Sequence, residues 1–240
     1  MSSVLVLRLA APMQAWGASS RFTRRTTESA PTKSGVIGLL AAAAGIERGD
    51  DARLAPLAGL RFGVRIDQPG TRIRDFHTAH HAVTGKSMPL SERFYLADAV
   101  FVAALEGDHT LLADLDAALK APVYLPFLGR RSCPPAGPLD LALHEDARLE
   151  DVLAQVPWQA SPWYRRSHRH QPQKSLTVLR EATAADPGAG DTLRDQPVSF
   201  AAAHRRHSLR TVVTTTVPIP GTPAGALRHD PFDALEDESS

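Results

Sequence analysis

The sequence predicts an α+β chain with a ferredoxin-like, RRM-like βαββαβ unit over residues 1–145 and a small β-rich C-terminal domain over 146–222. An acidic tail, expected to be flexible, follows over 223–240. Three observations carry this reading. Apolar segments up to about residue 145 run strand, helix, strand, long insertion, strand, helix, strand, the order of a ferredoxin-like unit. Prolines at 157, 162, 172, 187, 197, 218, 220 and 223 then break the chain often. The last eleven residues, DPFDALEDESS, hold five acids and no Lys or Arg.

SVLVLRLAA (3–11) has apolar residues at 4, 5, 6, 7 and 9, a buried strand. A polar connection with three arginines leads to PTKSGVIGLLAAAAG, whose residues 32–46 form a helix capped near Thr32 or Ser34 and ended by Gly45. LRFGVRI (60–66) alternates as a strand and closes in the turn DQPG. Residues 71–96 are polar, basic and histidine-rich, and read as a projecting hairpin or a long loop. DAVFVAALEG (98–107) is a strand, and DHTLLADLDAALKAP (108–122) is an amphipathic helix with an aspartate near its start and Lys120 near its end. PLDLALH (138–144) is a short strand; KSLTVLRE and SLRTVVTTTVPIP supply strands of the C-terminal region.

With 43% hydrophobic residues the chain can bury a core. No apolar run reaches transmembrane length, and the N-terminus is a poor signal peptide, so cytoplasmic location is expected. A single cysteine, Cys133, excludes an internal disulfide and a Cys-rich zinc site. The net charge of +1 conceals segregation: residues 1–229 carry 27 basic against 21 acidic side chains, net +6. Val152–Arg180 and Gln196–His229 contain no acid at all. Clustered positive charge beside an acidic tail points to a polyanion or an acidic protein as partner.

PTKSG suggests a phosphate grip but is not a nucleotide loop. A Walker A turn needs Gly-x-x-x-x-Gly-Lys-Ser/Thr so that backbone N–H groups can wrap the phosphates, and no glycine precedes Lys33 in RTTESAP. What remains is a helix start with orphan donors that attract an anion. His77, His80 and His81 are spaced for a metal on a helix, but the β-branched residues around them make a poor one. Metal-independent RNA cleavage would recruit His77, Lys86 and Tyr95, though no spacing assembles them. Cys133 follows two arginines and reads better as a small buried residue than as a nucleophile. Arg130 and Arg131 sit on a turn freed by Gly129 and stiffened by two prolines, a display suited to phosphate or base edges.

LRLAAPMQAWG, PTKSGVIGLLAAAAGIERGD, RDFHT, FYLADAVFVAAL and PVYLPFLGRRSCPPAGPL together resemble the CasD family over residues 3–143, with LRDQPVSF and RRHSLRTVV matching more loosely. Members of that family cap the 5′ handle of the guide RNA (crRNA) in the type I-E CRISPR surveillance complex, Cascade. The resemblance implies a ferredoxin-like palm, a β-hairpin thumb at about 76–93, and a small C-terminal β domain. It implies antiviral defence without catalysis or cofactor, a second subunit making the RNA cut. Its partners would be the crRNA handle, the Cascade backbone subunit, the large PAM-reading subunit and, through the complex, target DNA. By motif position, Gln14, Trp16, Arg24, Lys33, Ser34, His77, Arg93, Arg130 and Arg131 are the expected RNA-binding residues. The alternative is a metal-independent endoribonuclease acting on repeat RNA.

Overall fold

A computed structural model describes residues 2–17, 24–168, 175–186, 188 and 190–220. The expected acidic tail lies outside the described residues.

The elements in chain order are β1 (Ser2–Ala10), β2 (Met13–Gln14), β3 (Arg24–Arg25), α1 (Lys33–Ala43), α2 (Asp51–Gly59), β4 (Arg61–Gln68), β5 (Thr71–His77), β6 (Ser91–Ala97), β7 (Val100–Asp108) and α3 (His109–Lys120). They continue with β8 (Asp140–His144), α4 (Leu149–Gln155), α5 (Pro162–Ser167), β9 (Ser175–Glu181), β10 (Asp191–Ser199) and β11 (Arg206–Pro218). The result is a mixed α/β chain with largely antiparallel sheets.

Seven strands form one sheet in the order β10-β11-β9-β4-β7-β1-β8, with every neighbouring pair antiparallel. β1 is apolar at successive positions because it is covered on both faces. Leu5, Leu7 and Leu9 point into the larger core with Val36, Ile37 and Leu40 of α1 and Leu112 and Leu115 of α3. Val4 and Val6 point the other way, against Leu149, Val152 and Leu153 of α4. The strands expected as a small C-terminal domain extend this same sheet, since β9 pairs with β4 from Gly63↔Arg180 to Ile66↔Thr177.

A second sheet, β2-β6-β3 with β5 on the far side of β6, carries the histidine-rich segment. β5 and β6 pair from Thr71↔Ala97 to His77↔Ser91, and the bridge His80↔Ser87 continues the ribbon toward its tip. Residues 74–93 are exposed or half-buried throughout, so this hairpin stands clear of the core.

Local chemistry sets the helix starts. Thr32 is the N-cap of α1 and its hydroxyl accepts from the Gly35 N–H at 3.3 Å. Asp108 caps α3 in the same way, accepting from the Leu111 N–H at 3.1 Å. Asp50 caps α2, which the apolar pattern does not announce because Leu54, Leu57 and Ala58 are its only buried residues.

Candidate nucleic-acid interface

One end of α1 opens on a cleft of about 970 Å³. Thr32, Ser34 and Gly35 form its floor. Ala15 and Trp16 come from the β2–β3 connection, Arg25 from β3, and Gly129 and Arg130 from the turn after α3. The far wall is the β10–β11 hairpin, with Arg194, Phe200, Arg205, Arg206 and His207. None of the described residues lining the cleft is Asp or Glu. Five arginines in an acid-free concavity focus positive potential on whatever enters. Arg206 also reaches Asp51 outside the cleft, at 3.6 Å between two exposed side chains. Burial and the neighbouring Arg205 charge hold the His207 imidazole below its ordinary value, which keeps it neutral at physiological pH.

Trp16 shapes the cleft from behind and is buried. Its indole N–H donates to Gln14 Oε1 at 3.0 Å, and the Gln14 amide donates to the carbonyls of Leu9 (3.1 Å) and Ala99 (2.8 Å). Both Gln14 and Trp16 are thus committed to the interior. Gly35 is required under the ring: a Cβ there would lie 2.8 Å from the Trp16 ring. The backbone also grips this loop, the Trp16 N–H donating to the Thr27 hydroxyl at 2.9 Å and its carbonyl accepting from the Glu28 N–H at 2.6 Å.

Lys33 turns inward. Its side chain is buried and pairs with Glu181 at 2.8 Å. Burial pushes the ammonium pKa down, while the hydrogen bond and charge of Glu181 oppose that shift. Its backbone N–H, one of the orphan donors of α1, donates to Asp195 Oδ2 at 2.8 Å. Asp195 is wholly buried and also accepts twice from Arg210, at 2.6 and 2.9 Å. The helix start therefore does hold an anion, and that anion is the chain's own carboxylate. Ser34, one residue on, faces the cleft.

Arg130 crosses toward β3, donating from Nη2 to the Arg25 carbonyl at 3.0 Å and lying 4.5 Å over the buried Tyr95 ring. Gly129 makes this possible, with φ +84° and a Cβ position only 1.6 Å from the Ala15 carbonyl oxygen. Arg93 is in register with Arg25 across β3–β6. Arg93 Nε and Arg130 Nη1 are both buried without a hydrogen-bond partner among the described residues. Each is a buried guanidinium donor left unanswered among the described residues.

The remaining expected residues stand apart from the cleft. Arg131 is exposed beside it but is not part of its lining. Arg24 pairs through its backbone with Glu92 in β3–β6, and its side chain lies outside the described residues. His77 ends β5 and contacts Asp75 at 2.8 Å. His80 and His81 organise the hairpin tip: His80 Nδ1 lies 3.2 Å from the Gly85 carbonyl, and His81 Nδ1 accepts from the N–H groups of Val83 and Thr84. Tyr95 is sealed under Arg130 while His77 and Lys86 lie out on the ribbon, so the trio that RNA cleavage would recruit does not meet at one point. Cys133 is buried, and burial raises its thiol pKa. No three metal-ligating side chains converge among the described residues, and no described helix is long and apolar enough to cross a membrane.

Arg25, Arg194, Arg205, Arg206 and His207 are not among the RNA-binding residues expected by motif position. The signal that could have found two of the arginines is the acid-free run Gln196–His229. Arg194 lies beside an aspartate in sequence, so only the fold separates the outward arginine from the inward acid.

A family model described as CRISPR-associated protein (Cas_Cas5) matches residues 4–213. The CRISPR system Cascade subunit CasD of Escherichia coli (strain K12) is 38% identical over 159 residues, a match covering 59% of this chain and 71% of that protein. A crystal structure of a Cas protein superposes with a TM-score of 0.70 at 34% identity, covering 92% of this chain and 100% of the other. A chain of a CRISPR RNA-guided surveillance complex gives a TM-score of 0.70 at 30% identity, with 98% of each chain covered.

Proposed function

This chain belongs to the CRISPR-associated Cas5 family, and from that premise we propose that it is the Cascade subunit that holds the 5′ handle of the guide RNA. The observation that carries the reading is the acid-free, arginine-lined cleft at the start of α1. A bent single strand is held by phosphate contacts and stacking rather than by groove readout. Arg25, Arg130, Arg205 and Arg206 would meet phosphates in the cleft, with Ser34 at its floor. Arg24, Arg93, Arg131 and His77 would extend the track toward the ribbon. Gln14, Trp16 and Lys33 would act by holding the walls.

We read the sheet portion β4-β7-β1-β8 as a ferredoxin-like palm. Its support is the antiparallel order in which β7 separates β1 from β4. The ribbon β5–β6 is then the thumb and β9–β11 the small C-terminal β unit. The role is non-catalytic and needs no cofactor. The Cascade backbone subunit and large PAM-reading subunit are the protein partners, target DNA is met through the complex, and the site of action is the cytoplasm.

Labelled repeat RNA incubated with the purified chain in EDTA, across a salt series, tests this. Binding without cleavage is expected, with affinity falling steeply as salt rises. The Arg205→Ala, Arg206→Ala double variant should reduce the log–log salt slope by about 0.7 for each phosphate that the variant no longer neutralises. Site-specific cleavage in EDTA, or a double variant that binds and responds to salt like the parent, would overturn the proposal.

A further inference from the structure

The other acid-free stretch, Val152–Arg180, contributes nothing to the cleft lining. α4 packs on Val4, Val6, Val102 and Ala104, the sheet face opposite the one covered by α1 and α3. The chain is then tied to the end of β4. The Trp158 indole N–H donates to the Asp67 carbonyl at 2.9 Å, and Ser161 donates to Gln68 Oε1 from its N–H (3.1 Å) and hydroxyl (2.8 Å). α5 follows on this anchored base.

Trp163 in α5 is 51% exposed. Its ring stands edge-on to Tyr164 at 5.8 Å, and Tyr164 lies 4.2 Å from the His168 ring. Arg165 is fixed: it lies over the Trp158 ring at 5.5 Å and donates to the carbonyls of Ala160 and Trp158. Arg166 is exposed three residues on from Trp163 in the same helix, the spacing of helix-surface neighbours. Asp67, the acid at the root of the segment, is buried and bound to Arg65 at 2.7 and 2.9 Å. It neutralises nothing on the surface.

We propose that α5 is a second contact for single-stranded nucleic acid, separate from the cleft, in which a base stacks on Trp163 and an adjacent phosphate pairs with Arg166. An aromatic face held against Tyr164 and carried with an exposed cation on one helix is the pairing that sequence-tolerant strand binding uses. An apolar protein surface would satisfy Trp163 but would bury Arg166 unpaired. A polynucleotide satisfies both.

Tryptophan fluorescence reads this contact, because Trp16 is buried and Trp158 lies beneath Arg165, leaving Trp163 as the exposed indole. The full chain carrying Arg205→Ala and Arg206→Ala is titrated with octamers of uridine and of deoxythymidine. Quenching by at least one octamer is expected, and the tighter of the two identifies RNA or DNA as the strand. Trp163→Leu should remove the quench and weaken binding at least about five-fold. Arg166→Gln should lower the salt slope by about 0.7. Because both side chains are exposed, melting curves should match the parent. Absence of quenching, or a Trp163→Leu chain that binds as tightly as the parent, overturns the proposal and leaves α5 to a protein surface. The cleft reading fails separately, through unchanged repeat-RNA binding when only Arg205 and Arg206 are altered.

Discussion

Two sets of cations lie beside the start of α1, and one hexapeptide, RRHSLR (205–210), supplies both. Arg205 and Arg206 line the cleft and are exposed. Arg210 turns inward to a bidentate pair with Asp195 and approaches Glu181, which also receives Lys33. The register between β10 and β11 shifts between Leu193 and Gln196, and such an irregularity re-aims side chains that a regular ladder would have kept on one face. Cations with a buried carboxylate opposite them hold the fold together, and Arg205 and Arg206, without one, stay at the cleft surface. Residue type does not distinguish the two sets.

The largest effect expected from breaking this contrast is at Asp195. Asp195→Ala would leave Arg210 with only the more distant Glu181 and the Lys33 N–H unanswered, costing about 3–5 kcal/mol, read from the urea midpoint at unchanged m-value. A loss under about 1 kcal/mol would mean that the buried ion pairs are not what joins the hairpin to α1. Next comes Gly129→Val, which forces a Cβ against the Ala15 carbonyl at a φ of +84°. A loss of about 3 kcal/mol is expected in the same assay, together with weaker RNA binding as Arg130 moves. Arg206→Ala should sharpen the contrast from the other side. Its exposed pair with Asp51 contributes little, so stability should stay within about 0.5 kcal/mol while RNA affinity falls in a filter-binding assay.

The smallest effect is at His207. Its folded pKa lies below the ordinary 6.5, so the unfolded chain takes up the proton first. Stability therefore declines as pH falls through about 6.5, and the loss is complete once pH is below the folded pKa. Comparing melting temperatures at about pH 8 and about pH 5.5, the drop should be smaller for His207→Gln than for the parent. Equal drops would show that the cleft does not disfavour the charged imidazole.

Much of the fold was legible because its signals are local. The unbroken apolar run of β1, the Thr32 and Asp108 caps and the leucine spacing of α3 each follow from a few neighbouring residues. The short elements α2, α4 and α5 were not legible, since each buries few side chains and leaves little periodic pattern. The candidate site was legible in part. Arg130, Ser34 and the buried Trp16 do line the cleft, whereas Gln14 and Lys33 form its inner support.

By itself, the sequence determined the alternation of strands and helices, the segregation of positive charge and the family resemblance in its long motifs, because these are properties of contiguous residues. Tertiary structure alone decided which cations remain available. Lys33 and Glu181 are far apart in sequence, as are Lys33 and Asp195, yet they meet under one helix start. A buried charge is stable only beside its partner, and only the folded chain brings the partner there.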